Sequence, residues 1–398
     1  LQNYNAGPGS YTEPPDDPNP KPPGPYEWEV PKPPKNPTHY ISKSGSDAYT
    51  GTAPTHQAGT DIGPWKTIAK ANRTLTKGDA VAIRAGSYTD YIEPEKSGTE
   101  SSPIVYMPYQ GETVTIEGKS TMGRLCKIGA VDYIRVFGLN FKYAHGKVDG
   151  ADWPWVEILP GSVGTAFVGN TVVRDAEPSW LWDHGCREFG ITCAGADKTI
   201  IAGNFIKGFK VGIKIKNKAK RTVVYNNSVT GIVFHPLSFG KGGEIIQGTL
   251  VLNNLFEYAW HEDGCQAVNP DNTADPDTST VTRGVIIRGN IFRHCFENAI
   301  DYKATKYLVI ENNVFYGIRG IGDYMKVESD YNMFALLTIT RGARTTVDEV
   351  IVRRNLFFDT PQPTVFSGGQ GNDAQGIKVY NNTIVGPNRN YFGGNRHE

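Results

Sequence analysis

Carboxylates are the first candidates for chemistry. Glu262, Asp263, Glu297 and Asp301 sit in two short segments, Glu262-Asp263-Gly264-Cys265 and Glu297-Asn298-Ala299-Ile300-Asp301. Hard oxygen donors of this kind suit Ca²⁺. The expected metal ligands are Glu262, Asp263 and Glu297, with Asp301 beside them. Paired carboxylates also serve as the acid and its partner in glycoside hydrolysis, here Asp263 with Asp301 or Glu262 with Glu297. A second group is basic: Lys214, Lys216, Lys303 and Arg341. Cations hold an anionic ligand, and a lysine among other cations has its pKa lowered toward that of a general base. The third group is aromatic. Trp153, Trp155, Trp180, Trp182 and the pair Trp260-His261 can stack on sugar rings, or they can cover the fold as ordinary packing. His145, His184, His235 and His294 are scattered without metal spacing and read as structural.

These groups matter only if the chain brings them together, and a repeat supplies the means. An Asn followed by mostly β-branched or aromatic residues recurs at Asn140, Asn170, Asn204, Asn227, Asn254, Asn290, Asn313, Asn355 and Asn382. The separations run from 23 to 42 residues, a period that marks a solenoid with loops inserted into some coils. An Asn at the same turn of every coil can bond to the one above and below, and it tolerates a left-handed backbone. Aligning the coils on Asn stacks 188–193, 210–216, 262–267 (after an intervening coil), 297–303 and 335–341. Strand side chains alternate. With Ile213, Ile215, Cys265, Ile300 and Tyr302 inward, Lys214, Lys216, Gln266, Asp301 and Lys303 form an outward column, which Arg341 joins from the next turn. Glu188, Glu262 and Glu297 occupy equivalent places just before these strands. The competing reading of the column is a solvated, salt-bridged outer face.

The entry segment Tyr40-Ile41-Ser42-Lys43-Ser44-Gly45-Ser46-Asp47, Trp65-Lys66-Thr67-Ile68, Lys77-Gly78-Asp79 and Arg84-Ala85-Gly86-Ser87-Tyr88 resembles that of secreted right-handed parallel β-helix proteins, the pectate-lyase-like superfamily. Val211 to Lys216 followed by Val223 to Val229 resembles their standard coil. The resemblance spans about residues 39 to 386. It implies an all-β fold: a single-stranded right-handed parallel β-helix, with a short N-terminal helix at 64–75 capping its end. Ile300-Asp301-Tyr302-Lys303 and Leu337-Thr338-Ile339-Thr340-Arg341 are similar to the Lys and Arg strands of the alginate and chondroitin lyase family, with Arg341 one residue late. The resemblance implies a polysaccharide lyase with Lys303 as base, Arg341 neutralising the substrate carboxylate and Asp301 in the same site. Lys214, Lys216, His261, Trp260 and Trp182 would bind substrate. The partner would be an acidic polysaccharide, and the location secreted or cell-surface. The superfamily also holds glycoside hydrolases and non-catalytic adhesins, and fold does not choose among them.

Composition narrows the classes. Lys plus Arg equals Asp plus Glu at 41 each, which argues against a nucleic-acid partner. No apolar run is long enough to insert in a membrane as a helix. The first 37 residues are proline-rich and read as an extended arm or linker, with 38–398 as the β-helix. The arm is expected to make few contacts with its own coil and is a candidate for self-association into filaments. The chain starts without an initiator Met, which fits either a removed leader or a trimmed N-terminus. Five cysteines, Cys126, Cys186, Cys193, Cys265 and Cys295, read as small core residues rather than a disulfide framework.

Overall fold

Short β-branched and aromatic runs, broken by Gly or Asn, bury one strand face and then must turn. In the computed structural model they do so coil after coil. It describes residues 27–118, 124–143, 154–175, 186–240, 246–261, 264–267, 282–296, 298–303, 305–318, 337–340, 347–359, 365–367, 376–385 and 392–393. The strands of these residues form three parallel sheets of 12, 11 and 10 strands. Neighbours in each sheet are successive coils, so the chain winds as a right-handed parallel β-helix, the hand that parallel crossovers take.

The corner between the 12- and 11-stranded sheets is uniform from Phe137 onward. From Phe137 to Asn140 through Tyr380 to Thr383, two residues join the strands. The first is left-handed at each corner: Gly138, Gly169, Gly203, Asn226, Asn253, Gly289, Asn312, Arg354 and Asn381, with φ from 53° to 69°. The second is the ladder residue. The backbone N–H of Asn204 donates to Oδ1 of Asn227 at 3.0 Å, and its Nδ2 donates to the same Oδ1 and to the Phe167 carbonyl. The pattern repeats from Asn170 to Asn382. Each buried amide is thereby satisfied by the coils on both sides. Asn140 departs from expectation. It pairs with Thr171 on the outward row, while Leu139 holds the ladder place and donates its N–H to Asn170 Oδ1. The ladder therefore starts at Asn170.

Inside, one side chain per strand stacks on its copy in the next coil. Phe256, Phe292, Phe315 and Phe357 stand 5.1, 5.2 and 4.9 Å apart between ring centroids, close to the ~4.8 Å spacing of strands. All five cysteines are buried, as small core residues would be. The N-terminal helix is shorter than expected, Ile68–Thr74, because Thr67 caps it by accepting from the Lys70 N–H. Pro64 lies before it, and Trp65 bridges to Ile41 instead. The helix buries Ile68 and Ala71 in the core that holds Ile41, Val81 and Ile83.

The arm also differs from expectation where it is described. Residues 27–37 have no helix or strand yet lie on their own solenoid. The Trp28 ring meets Tyr225 at 5.3 Å, and Pro33 to Pro37 wall a cavity of about 640 Å³ with Tyr40, Met107, Tyr109, Phe137 and Val168. The outer face they cover is apolar, and burying it favours the contact.

Candidate functional site

A solenoid needs one corner kept constant for register and can vary the others. Connections from the 11- to the 10-stranded sheet run from two residues (Ile232 to His235) to 20 (Tyr316 to Leu337). Those leaving the 10-stranded sheet run from one (Lys303 to Thr305) to 14 (Ala267 to Thr282). Both edges of the 10-stranded sheet thus carry the insertions, while the opposite corner keeps two residues from Phe137 onward. Its outer face is the floor between them.

The pairing register sets out the row on that floor. Lys127, Glu157, Thr192, Lys214, Ser238, Gln266, Asp301 and Thr338 stand in line on successive strands. Ile213, Ile215, Cys265, Ile300 and Tyr302 are fully buried in the core, so the expected alternation holds. Part of the row is buried, while Lys127 and Lys214 stay partly exposed. Glu157 is 6 % exposed, Thr192 0 %, Ser238 3 % and Asp301 5 %. Charges here are matched: Glu157 pairs with Arg124, and Lys127 Nζ meets Glu93 Oε1 at 2.5 Å. Lys214, half-buried, places its ammonium 4.4 Å from the Phe189 ring centroid, a cation–π contact. Lys216 lies two residues on, partly buried and in register with Ala194.

The structure brings some expected residues together and separates others. Asp301 and Lys303 share one strand, Ile300–Lys303, and Lys303 pairs with Thr340. Lys214 stands three strands from Asp301, about 14 Å at the usual spacing. They mark the length of a floor rather than one contact. Trp260 and His261 sit just outside the strand edge, where the His261 N–H donates to the Val233 carbonyl. The His261 ring lies 5.4 Å from Phe234, and Trp260 lies 6.4 Å from Phe296. Glu262, Asp263, Glu297, Arg341 and Trp182 lie outside the described residues, as does the Lys303 side chain. Among the described residues no three His, Cys, Asp or Glu side chains converge on a metal position.

Two readings change. Glu188, expected to stand with Glu262 and Glu297, is tied to Arg174, each being about a tenth exposed. The Arg174 guanidinium also lies 5.6 Å from the Trp155 ring. Trp155 itself is core, packed on Tyr143 and Phe209, and does not face a sugar.

No family model matches the chain. It is 35 % identical over 81 residues to YwoF, an uncharacterized protein of Bacillus subtilis, and 37 % identical over 86 residues to pectate lyase PEL9 of Emericella nidulans. These stretches cover 20 % and 21 % of this chain but 16 % and 19 % of those proteins, so the match spans less than a fifth of either relative. Among solved structures, the GH136 lacto-N-biosidase of Eubacterium ramulus aligns with a TM-score of 0.53 at 12 % identity, over 87 % of this chain and 67 % of that one. The catalytic domain of a GH87 alpha-1,3-glucanase aligns at 0.51 and 12 % identity, over 94 % and 71 %. The chain shares with these structures the fold of a right-handed parallel β-helix.

In this β-helix, sequence reading missed a basic–aromatic group at the edge of the floor. Lys210 Nζ stands 5.2 Å over the Phe234 ring, whose other neighbours are His235 and His261. The signal was there: Lys210 occupies the place before its strand that Glu188 holds one coil earlier. The Phe234 N–H donates to the Lys210 carbonyl at 2.9 Å. Reading the coil that intervenes between 216 and 262 would have added Phe234 and His235 to the set.

Proposed function

We propose that the protein is an extracellular carbohydrate-active β-helix that cleaves an acidic, uronic-acid-containing polysaccharide by β-elimination on the outer face of its 10-stranded sheet. The observation that carries the reading is the placing of the insertions: both edges of that sheet vary along its length, while the opposite corner is constant from Phe137 onward. A long floor with Lys214, Lys216 and Lys303 on one sheet fits a polyanion rather than a small molecule. The local identity to a pectate lyase supports the same class.

In this reaction a base takes the C5 proton beside the sugar carboxylate. The electron pair forms the C4=C5 bond, the C4–O bond breaks, and the departing oxygen takes a proton. Lys303 is assigned as the base and Arg341 as the group that neutralises the carboxylate, so that negative charge developing at C5 is stabilised. Asp301, on the Lys303 strand, sets the charge around that lysine. Lys214, Lys216, His261, Trp260 and Trp182 bind neighbouring sugars. Ca²⁺ held by Glu262, Asp263 and Glu297 would supply further positive charge against the carboxylate.

The test is ultraviolet absorbance of the unsaturated product on alginate, pectate and glycosaminoglycans, beside a reducing-end assay on the same panel and on neutral glycans. Wild type is expected to form unsaturated ends on one polyuronate. Lys303→Ala should abolish them while substrate binding survives, and chelation should slow the reaction. Reducing ends without absorbance would move the assignment to hydrolysis. Silence in both assays would move it to a non-catalytic surface protein.

A further inference from the structure

The outer face of the 12-stranded sheet carries an apolar row in which Ile200, Val223, Leu250, Ile286, Val309 and Ile351 follow one another by register. The inward neighbours Val224, Val251, Ile287, Ile310 and Val352 fill the core, so the row points away from it. Yet Val223 is 1 % exposed, Leu250 4 %, Ile286 1 %, Val309 3 % and Ile351 2 %. The 11-stranded sheet is an internal control. Its outward Phe205 and Ile291 also have strand neighbours on both sides, but stay 41 % and 36 % exposed. Leu255, Val314 and Leu356 of the same row are partly exposed as well, so flanking strands alone leave such side chains partly open and something further must cover the row. Trp28 packs into it, in one cluster with Val223, Leu250, Ile286 and Val309.

The path of the arm says what covers the rest. Pro37 lies by Ala82, and Trp28 lies by Tyr225. Five strand steps separate those two places, about 24 Å at the usual spacing. Nine residues of polyproline II reach about 28 Å. The arm thus runs nearly straight along the axis toward the C-terminal coils. Five more strands lie beyond Tyr225, and about eight extended residues would cross them. The segment in line to do so is Pro20-Lys21-Pro22-Pro23-Gly24-Pro25-Tyr26-Glu27. Its prolines present apolar rings and few N–H groups, as segments that bind apolar grooves do. Charge agrees. The second outward row holds Arg288, Glu311, Arg353 and Tyr380, with Arg135 and Lys378 in the first row. Residues 13–29 carry five acidic groups against Lys21 alone.

We propose that residues 20–27 of the same chain continue this path and strap the outer face of the 12-stranded sheet over Leu250, Ile286, Val309 and Ile351. The arm is then an intramolecular cover for an apolar surface, and an open surface for assembly only when it is displaced. The proposal is independent of any catalytic role.

The test places one cysteine in the arm and one on the row, Pro22→Cys with Ile351→Cys, in the full chain treated with a short bismaleimide. The expected product is an internally linked monomer, lost when either cysteine is omitted. A linked dimer at low protein concentration would overturn the proposal in favour of arm exchange with a second copy. A second measurement needs no cysteine: removing residues 1–26 should raise binding of an apolar dye, lower the melting temperature by a few degrees and shift the chain toward oligomers. No cross-link, together with unchanged dye binding and melting on truncation, would also overturn it.

Discussion

At the scale of single residues, the ladder shows how much one amide can carry. Asn227 accepts from the N–H and Nδ2 of Asn204 and donates to the Ile201 carbonyl and Asn254 Oδ1. Asn227→Ala would leave those buried partners unmet, at a cost of about 1–3 kcal/mol, read as a lowered melting temperature; an unchanged melt would remove the ladder from the account of stability. Arg354 offers the opposite sign. It is exposed and sits at φ 55° in the corner where its counterparts are Gly or Asn. Left-handed backbone costs other L-residues about 1 kcal/mol or more, so Arg354→Gly should raise the melting temperature. His39 gives a pH dependence. Its ring stacks on Trp65 at 4.6 Å. Burial lowers its pKa, and Asp79 opposes only in part. The unfolded chain therefore binds the proton more readily. Stability is full above the unfolded value of about 6.5 and falls as pH drops through it toward the folded value. His39→Gln should flatten that acid limb in melts taken across the window.

At the scale of elements, the 12-stranded sheet holds an ionic triad around a buried carboxylate. Glu311 accepts from Arg288 at 2.6 Å and from Arg353 at 2.7 Å, and Arg353 also donates to the Tyr380 hydroxyl. Glu311 and Arg353 are 2 % and 5 % exposed. Glu311→Gln would leave two guanidinium groups facing each other, Arg353 buried and Arg288 partly exposed. A loss of about 3–5 kcal/mol is expected, against little change if the pair exchanges its partners for solvent; denaturant unfolding decides. The triad was not legible beforehand. Arg288, Glu311 and Arg353 each follow an apolar run and precede a corner, and only the pairing of three strands puts them in contact.

At the scale of the whole molecule, the three corners have different tolerances. A Gly-Ser insertion between Asn226 and Asn227 would break both the left-handed position and the ladder, and should lower the melting temperature sharply. The same insertion in the connection from Phe239 to Leu250 extends a loop that is already long, and added loop length costs little. Equal effects from the two insertions would contradict the division into a constant corner and a variable one.

What the sequence by itself determined is the local, repeated part. Alternation sent Ile213, Ile215, Cys265, Ile300 and Tyr302 inward, and the Asn spacing put Asp301 and Lys303 on a strand in register with Thr338 and Thr340, because each coil repeats one short-range pattern. Where sequence and structure differ, the difference is local too. Asn140 has the identity of a ladder residue but stands beside the ladder place, which identity alone cannot tell. Pro64 suits a first helical turn, but Thr67 carries the capping hydroxyl. Tertiary structure decided what depends on distant chain. It tied Glu188 to Arg174, sank Trp155 into the core, set Lys214 about 14 Å from Asp301, and laid residues 27–37 along their own sheet. Those outcomes come from which surfaces are left uncovered once the coils have stacked. No window of sequence contains that information, because the covering residues and the covered ones are nearly two hundred positions apart, as Trp28 and Tyr225 are.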